Sequence, residues 1–272
     1  MKEINNLLSV FILGLELQFR GTKLVESFHS HGINPFVHFG FNANISKIPN
    51  SWRNDKRSLR LYRKILTNQE IACTHGHRTM LKVASQRDTK FSLFLEDDIR
   101  VVSFMRLIDF ISTTNRQKPT IWIFPLEAGK DLRGANYFAN IRYFLSRSII
   151  PSGAFAYLVN NSAINELEHG YLKYGYEGYV ADFPTFFPDF VDFQEGPCGL
   201  FQMSDTDSVL GELKERERRK FSVYSFAKKI SDLLFITWLL SGYRDSGIKG
   251  FFKLHHGSYA RRILLHSENV KC

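Results

Sequence analysis

The chain reads as an α/β protein, and three stretches predict that class. A β-α-β pattern opens it: an apolar strand over 7–15, a short helix over 22–31 that stops at His31-Gly32, and a second strand over 36–41. A second apolar run of strand length, 91–95, ends abruptly on three adjacent acids, Glu96, Asp97 and Asp98. Between the two, Thr67-Asn68-Gln69-Glu70 carries the capping-box pattern, in which a hydroxyl and a carboxylate reciprocally satisfy orphan amides, so a helix is expected from 68 to about 85.

The inner stripe of that helix is Ile71, Thr74, Met80, Leu81 and Ala84, with Arg78, Lys82 and Arg87 facing water. The polar and basic stretch 45–64, broken by Pro49-Asn50-Ser51, reads as a loop whose Arg53, Lys56, Arg57 and Arg60 are candidates for phosphate contacts. After the acids come a helix over 104–114, a strand over 120–124, an irregular stretch over 126–139, a strand over 152–159 and a helix over 162–167. No internal repeat or low-complexity segment interrupts the order.

Composition bounds the class further. At 272 residues and 44% hydrophobic content the chain holds enough apolar material for one large domain or a domain with an appendage, and its 25 Phe and 11 Tyr suit a sheet-containing core. The formal charge of +9 is uneven: from Glu212 onward 13 Lys and Arg face 6 Asp and Glu. The expected organisation is therefore a domain over 1–208 and a basic, amphipathic helical extension over 209–272, which suits an anionic membrane interface or packs back on the domain. No nucleic-acid motif accompanies the charge, and nucleic acid is not expected as a partner. No apolar run reaches the roughly 18 residues of a membrane span. Cys73, Cys198 and Cys272 lack both even number and metal-ligand spacing, so neither a disulfide framework nor a zinc site is suggested, and Cys73 reads as a small packed residue. With no signal-peptide pattern at the start, the expected location is cytoplasmic, with peripheral contact at the inner face of the membrane.

The acids carry the chemistry. Carboxylates that close repel one another and raise each other's pKa, so a cation, basic side chains or several backbone donors must compensate. Mg²⁺ or Mn²⁺ does so directly, held by one or two carboxylates while substrate phosphates complete the shell. The position suits this, because open α/β sheets bind ligands at the carboxyl ends of their strands. Asp97 and Asp98 are the candidate metal ligands, with Glu96 assisting the metal.

Leu66-Thr67, Glu70-Ile71-Ala72-Cys73 and Gly76-His77, followed by Glu96-Asp97-Asp98, together resemble glycosyltransferase family 25, which includes bacterial lipooligosaccharide galactosyltransferases and glucosyltransferases. The likeness continues through Ser152–Ile164, Val180-Ala181-Asp182, and Phe201-Gln202 with Ser204, over roughly 9–208. It implies a GT-A-type nucleotide-sugar-binding domain, Mn²⁺ or Mg²⁺, a UDP-sugar donor, a glycolipid acceptor and inverting transfer of a hexose, galactose foremost. It also makes Thr67, Glu70, His77 and Glu96 candidates for donor binding, although Thr67 and Glu70 serve equally as a helix cap. Inversion needs a base for the acceptor hydroxyl. Asp182 is the candidate, with Asp189 and Asp192 as competitors, in a region whose Tyr and Phe residues suit an acceptor sugar. The chain departs from the family pattern at Phe11-Ile12-Leu13-Gly14 and Phe19-Arg20, where Val-Ile-Asn-Leu and Asp-Arg are usual. It departs again at Ala72, where Gly is usual, and at His75-Gly76. These departures leave open a member that binds nucleotide or glycan without turnover.

Overall fold

Strand β1 (Leu8–Gly14) follows the short helix α1 (Lys2–Leu7) and alternates its side chains between two cores, which is the period-2 signature of a strand covered on both faces. Val10 and Ile12 point to one side, Phe11 and Leu13 to the other. Helix α2 (Thr22–Ser30) returns the chain, closes at Gly32 in the left-handed region (φ 71°), and leads to β2 (Phe36–Phe39), parallel to β1. The computed structural model describes residues 2–62, 65–114, 118–124, 154–178, 181, 191–197 and 199–204.

The segment 45–64, expected as a loop, contains a 3-10 turn at Asn50–Trp52 and helix α3 (Asp55–Tyr62). The Asn54 carboxamide caps that helix by accepting from the Arg57 N–H at 3.0 Å, and Ser58 within it is buried. Helix α4 (Asn68–Ala84) starts at the expected capping box, with the Thr67 N–H donating to Glu70 Oε2 at 2.8 Å and the Glu70 N–H donating to Thr67 Oγ1 at 3.1 Å. Thr67→Ala is expected to cost about 1 kcal/mol of stability, read as a lowered urea midpoint. The stripe Ile71, Thr74, Met80, Leu81 and Ala84 is buried as expected. Arg78, expected to face water, is instead mostly covered: it pairs with Glu168 and lies over the Tyr171 ring at 4.9 Å.

Strand β3 (Phe91–Glu96) lies beside β1, parallel, with Leu13 opposite Glu96. The chain then turns through Asp97 and Asp98 into β4 (Ile99–Val101), continues through α5 (Phe104–Thr113) and enters β5 (Thr120–Ile123). Strand β6 (Ala156–Asn160), helix α6 (Asn161–Tyr174), β7 (Asp192–Glu195) and β8 (Phe201–Met203) complete the described elements. The main sheet has the order β2-β1-β3-β6-β5-β7, with β6 antiparallel to both its neighbours and the other pairs parallel. Strands β4 and β8 form a separate antiparallel pair.

One face of the sheet packs on α4 and α6 through Phe11, Phe94, Tyr157, Met80 and Leu167. The other packs on α2 and α5 through Ile12, Leu93, Leu95, Phe28 and Ile111. This mixed α/β architecture agrees with the expected class, and its topology puts the carboxyl ends of β1, β2 and β3 side by side. The irregular stretch over 126–139 and the proposed extension over 209–272 lie outside the described residues. No helix among the described residues is long and apolar enough to cross a membrane.

Candidate active site

A cleft opens where those three strands end. Its walls are the end of β1 with Gln18 and Arg20, the segment 40–44 after β2, Gln69, Ala72 and Cys73 on the first turns of α4, and Glu96 and Asp97 after β3. This is the placement that strand polarity dictates for an open α/β sheet.

The acidic triplet divides between two environments. Phe94 points to the α4 side of the sheet, so Glu96, two residues on, points there too. Asp97 and Asp98 lie past the strand, in a turn tied down by the Glu96 N–H donating to the Phe155 carbonyl at 2.9 Å and the Ser204 N–H donating to the Asp98 carbonyl at 2.6 Å. Both aspartates are buried, and Arg20 meets both. Its Nη2 donates to Asp97 Oδ1 at 3.0 Å and Asp98 Oδ2 at 3.2 Å, and its backbone N–H donates to Asp97 Oδ2 at 3.1 Å. The compensation expected for crowded carboxylates thus comes partly from a basic side chain, which the sequence had offered only as half of a departed motif.

One guanidinium does not balance three acids. Burial first, and then the Glu96 charge, push the Asp98 carboxyl up to about 6, with Arg20 opposing. Asp98 Oδ1 is buried with no hydrogen-bond partner among the described residues. An orphaned hard oxygen beside further carboxylates fits a divalent cation of the Mg²⁺ or Mn²⁺ kind. Glu96 and Asp97 face the cleft; Asp98 sits behind them.

The glycines here are steric requirements. A Cβ on Gly14 would lie 2.5 Å from the Phe19 ring and 2.9 Å from Asp97 Oδ2, so Gly14→Ala must displace the aspartate. It is expected to cost about 1–3 kcal/mol, measured as a lowered thermal midpoint. Gly76 fits under Leu13, where a Cβ would approach to 2.7 Å, and His75 stacks on Trp52 with ring centroids 3.6 Å apart. The His75-Gly76 departure is therefore accounted for by packing.

His77 is 4% exposed, and its Nδ1 lies 2.9 Å from the Tyr157 hydroxyl. Burial holds the Tyr157 phenol well above its ordinary value, so it stays neutral. The His77 Nε2 points at Glu96 Oε1, 3.6 Å away, and the Cys73 thiol approaches the same oxygen at 3.8 Å. Cys73, expected as a packed residue, lines the cleft.

Thr67 and Glu70 are engaged in the capping box, and neither lines the cleft, whereas their neighbour Gln69 does. Of the basic residues expected near phosphates, Arg53 donates to Asp55 and Asn68, Arg57 to the Glu177 carbonyl, and Lys56 is exposed. None of them borders the cleft. The Arg60 side chain, Asp182 and Asp189, the Asp192 side chain and most of the aromatic residues around Asp182 lie outside the described residues. Sequence reasoning missed Asn42 and Asn44, amide side chains on the cleft wall after β2, of which Asn44 Oδ1 accepts from Gln69 Nε2 at 2.8 Å. No periodic signal marks residues in such a connection.

Residues 8–149, just over half of the chain and including every strand that bounds the cleft, match the family model described as glycosyltransferase family 25, LPS biosynthesis protein. The chain belongs to glycosyltransferase family 25. The chain is also similar to a solved structure described as a glycosyltransferase involved in the glycosylation of the major capsid of PBCV-1. The two share 14% identity and a TM-score of 0.39, over 78% of this chain and 99% of that one, a likeness too distant to carry an argument about function. No curated protein matches the chain. Membership of family 25 makes it a transferase that uses a nucleotide-sugar donor and a glycan acceptor.

Proposed function

We propose that this family 25 member transfers a hexose, galactose foremost, from a UDP-sugar to a lipooligosaccharide or lipopolysaccharide acceptor, with inversion at the sugar C1. The observation that carries the reading is the cleft at the ends of β1, β2 and β3, bordered on one side by Glu96 and Asp97, with Arg20 paired to Asp97. Breaking the bond from C1 to a diphosphate develops negative charge on the leaving group, and a cationic patch held by carboxylates is what such a step needs.

Asp97 and Asp98 would hold a Mn²⁺ or Mg²⁺, which when bound supplies Lewis-acid stabilisation of the diphosphate. Arg20 keeps the two aspartates in one place and limits their mutual repulsion. Glu96 and the amides of Asn42 and Asn44 present hydrogen-bonding groups for the ribose and base from opposite walls. Helix α4, fixed at its first turn by Thr67 and Glu70, carries His77 toward the carboxylates. Asp182 takes the acceptor proton in this scheme. The GT-A-type domain is 1–208, and the basic stretch 209–272 brings it to an anionic glycolipid surface at the cytoplasmic face of the membrane.

A second reading, a member that binds nucleotide or glycan without turnover, draws on Arg20 already occupying both aspartates. Release of UDP from a panel of UDP-sugars, with and without Mn²⁺ and truncated lipooligosaccharide, separates the two. Metal-dependent release from one donor establishes the transferase and names the sugar. Calorimetric binding of UDP without release from any donor favours the second reading, and absence of both removes the two together.

A further inference from the structure

Beside the Asp97–Asp98 pair lies a second group of donors with different chemistry. Cys73 and His77 are four residues apart on α4, so both project from one helix face, toward the Glu96 side chain at the end of β3. Cys73 Sγ, His77 Nε2 and Glu96 Oε1 all lie within 4.8 Å of one another. Two of the three edges are 3.8 and 3.6 Å. Zinc bonds of about 2.3 Å to sulfur and 2.0–2.2 Å to nitrogen and oxygen, placed tetrahedrally, give ligand-to-ligand edges of roughly 3.4–3.6 Å. These two edges need to contract by about 0.2 Å, and the third, from Sγ to Nε2, by at most about 1.3 Å.

An independent observation points to a ligand. His77 Nε2 is buried, aimed at this point, and has no hydrogen-bond partner among the described residues. Its other nitrogen faces the Tyr157 hydroxyl at 2.9 Å. That partner orients the ring, and on metal binding its oxygen takes the Nδ1–H hydrogen bond, as the outer partners of metal-binding histidines commonly do, so that the Nε2 lone pair faces the ion. Tyr157 is itself anchored on β6 between Phe94 and the α4 face.

We infer that Cys73, His77 and Glu96 form a binding site for a thiophilic divalent cation of the Zn²⁺ class, with its fourth position open to the cleft. A thiolate, an imidazole and one carboxylate select zinc over magnesium or manganese, which prefer all-oxygen surroundings such as Asp97 and Asp98 provide. On binding, Cys73 loses its S–H proton to solvent and the sulfur lone pair forms the metal bond. The thiolate and the Glu96 carboxylate neutralise the added charge. Cys73 and Glu96 are on the cleft wall and His77 lies behind them, so the remaining position faces the cleft, where it takes a water or an oxygen of the molecule bound there. The inference stands on these three side chains and does not depend on the donor or acceptor proposed above.

The test is titration of chelator-treated full-length protein with Co²⁺ as a spectroscopic substitute, followed by displacement with Zn²⁺. One equivalent is expected to give a thiolate-to-cobalt charge-transfer band with intense tetrahedral ligand-field absorption, both abolished by Zn²⁺. Cys73→Ser should remove the charge-transfer band, and His77→Gln and Glu96→Gln should each weaken binding at least tenfold. Cys198→Ser, Cys272→Ser and the Asp97→Asn, Asp98→Asn double variant should keep the band. If the buried His77→Gln substitution prevents folding, the near-isosteric Cys73→Ser, checked by circular dichroism, still decides. Absence of the band in the wild type, or its survival in Cys73→Ser, overturns the site.

Discussion

Asp98→Asn is expected to lower metal-dependent UDP release by about 10²–10³-fold while making the metal-free protein more stable at neutral pH. The two effects come from one carboxylate. Its pKa is pushed up from 3.8 to about 6, chiefly by burial and then by Glu96, so ionising it in the folded protein costs about 3 kcal/mol. The folded state therefore binds this proton more tightly than the unfolded chain does. The associated stability is fully present below pH 3.8 and is lost as pH rises through about 6. Asparagine keeps the shape and removes the charge, and some of the gain is offset by its weaker bond to Arg20. A net increase of about 1–2 kcal/mol at pH 7.5, vanishing near pH 4, is expected from urea midpoints without metal. Opposite movements of activity and stability distinguish a strained functional carboxylate from a structural one. Unchanged UDP release together with lowered stability would assign Asp98 to the scaffold.

Arg20→Met should be the most destabilising single change at the cleft. It leaves Asp97 and Asp98, both under 10% exposed, facing each other and Glu96 without their shared cation. Removing one partner from a buried charge cluster costs about 3–5 kcal/mol, because the remaining charges stay desolvated. For a domain of this size that is a fall of roughly 10 °C in the thermal midpoint. The penalty should shrink at pH 5, where Asp98 takes up a proton, since Arg20 opposes the upward push on its pKa and its loss raises that pKa further. A midpoint that moves by less than 2 °C and does not depend on pH would mean that solvent screens the pair.

Where local pattern and tertiary environment agree, the elements were legible. Strands β1, β2, β3 and β5 and helices α2, α4 and α5 were expected within a few residues of where they lie. The capping box of α4 uses the expected hydroxyl and carboxylate, since it depends only on residues three apart. Helix α3 is not legible in the sequence, because Asp55–Tyr62 is short and polar and only its docking decides for a helix. Strands β4 and β8, three residues each, exist through pairing across about a hundred residues, which no local window contains.

The site divides the same way. That three acids end a strand, and that they lie at the ligand-binding edge of an α/β sheet, follows from apolar patterning and strand polarity alone, and the motif series around them led to the family. What the sequence by itself determined is thus the fold class, the family and the position of the acids along the chain. Only the tertiary structure decided which neighbours each acid meets. The register of β3 on β1 sets Glu96 opposite Leu13 and turns it toward Cys73 and His77, while the turn that follows delivers Asp97 and Asp98 to Arg20, 77 and 78 residues earlier. The physical reason is that a carboxylate's pKa, partners and ligand chemistry depend on distances of a few ångströms, and across a folded sheet those distances are fixed by packing rather than by separation along the chain.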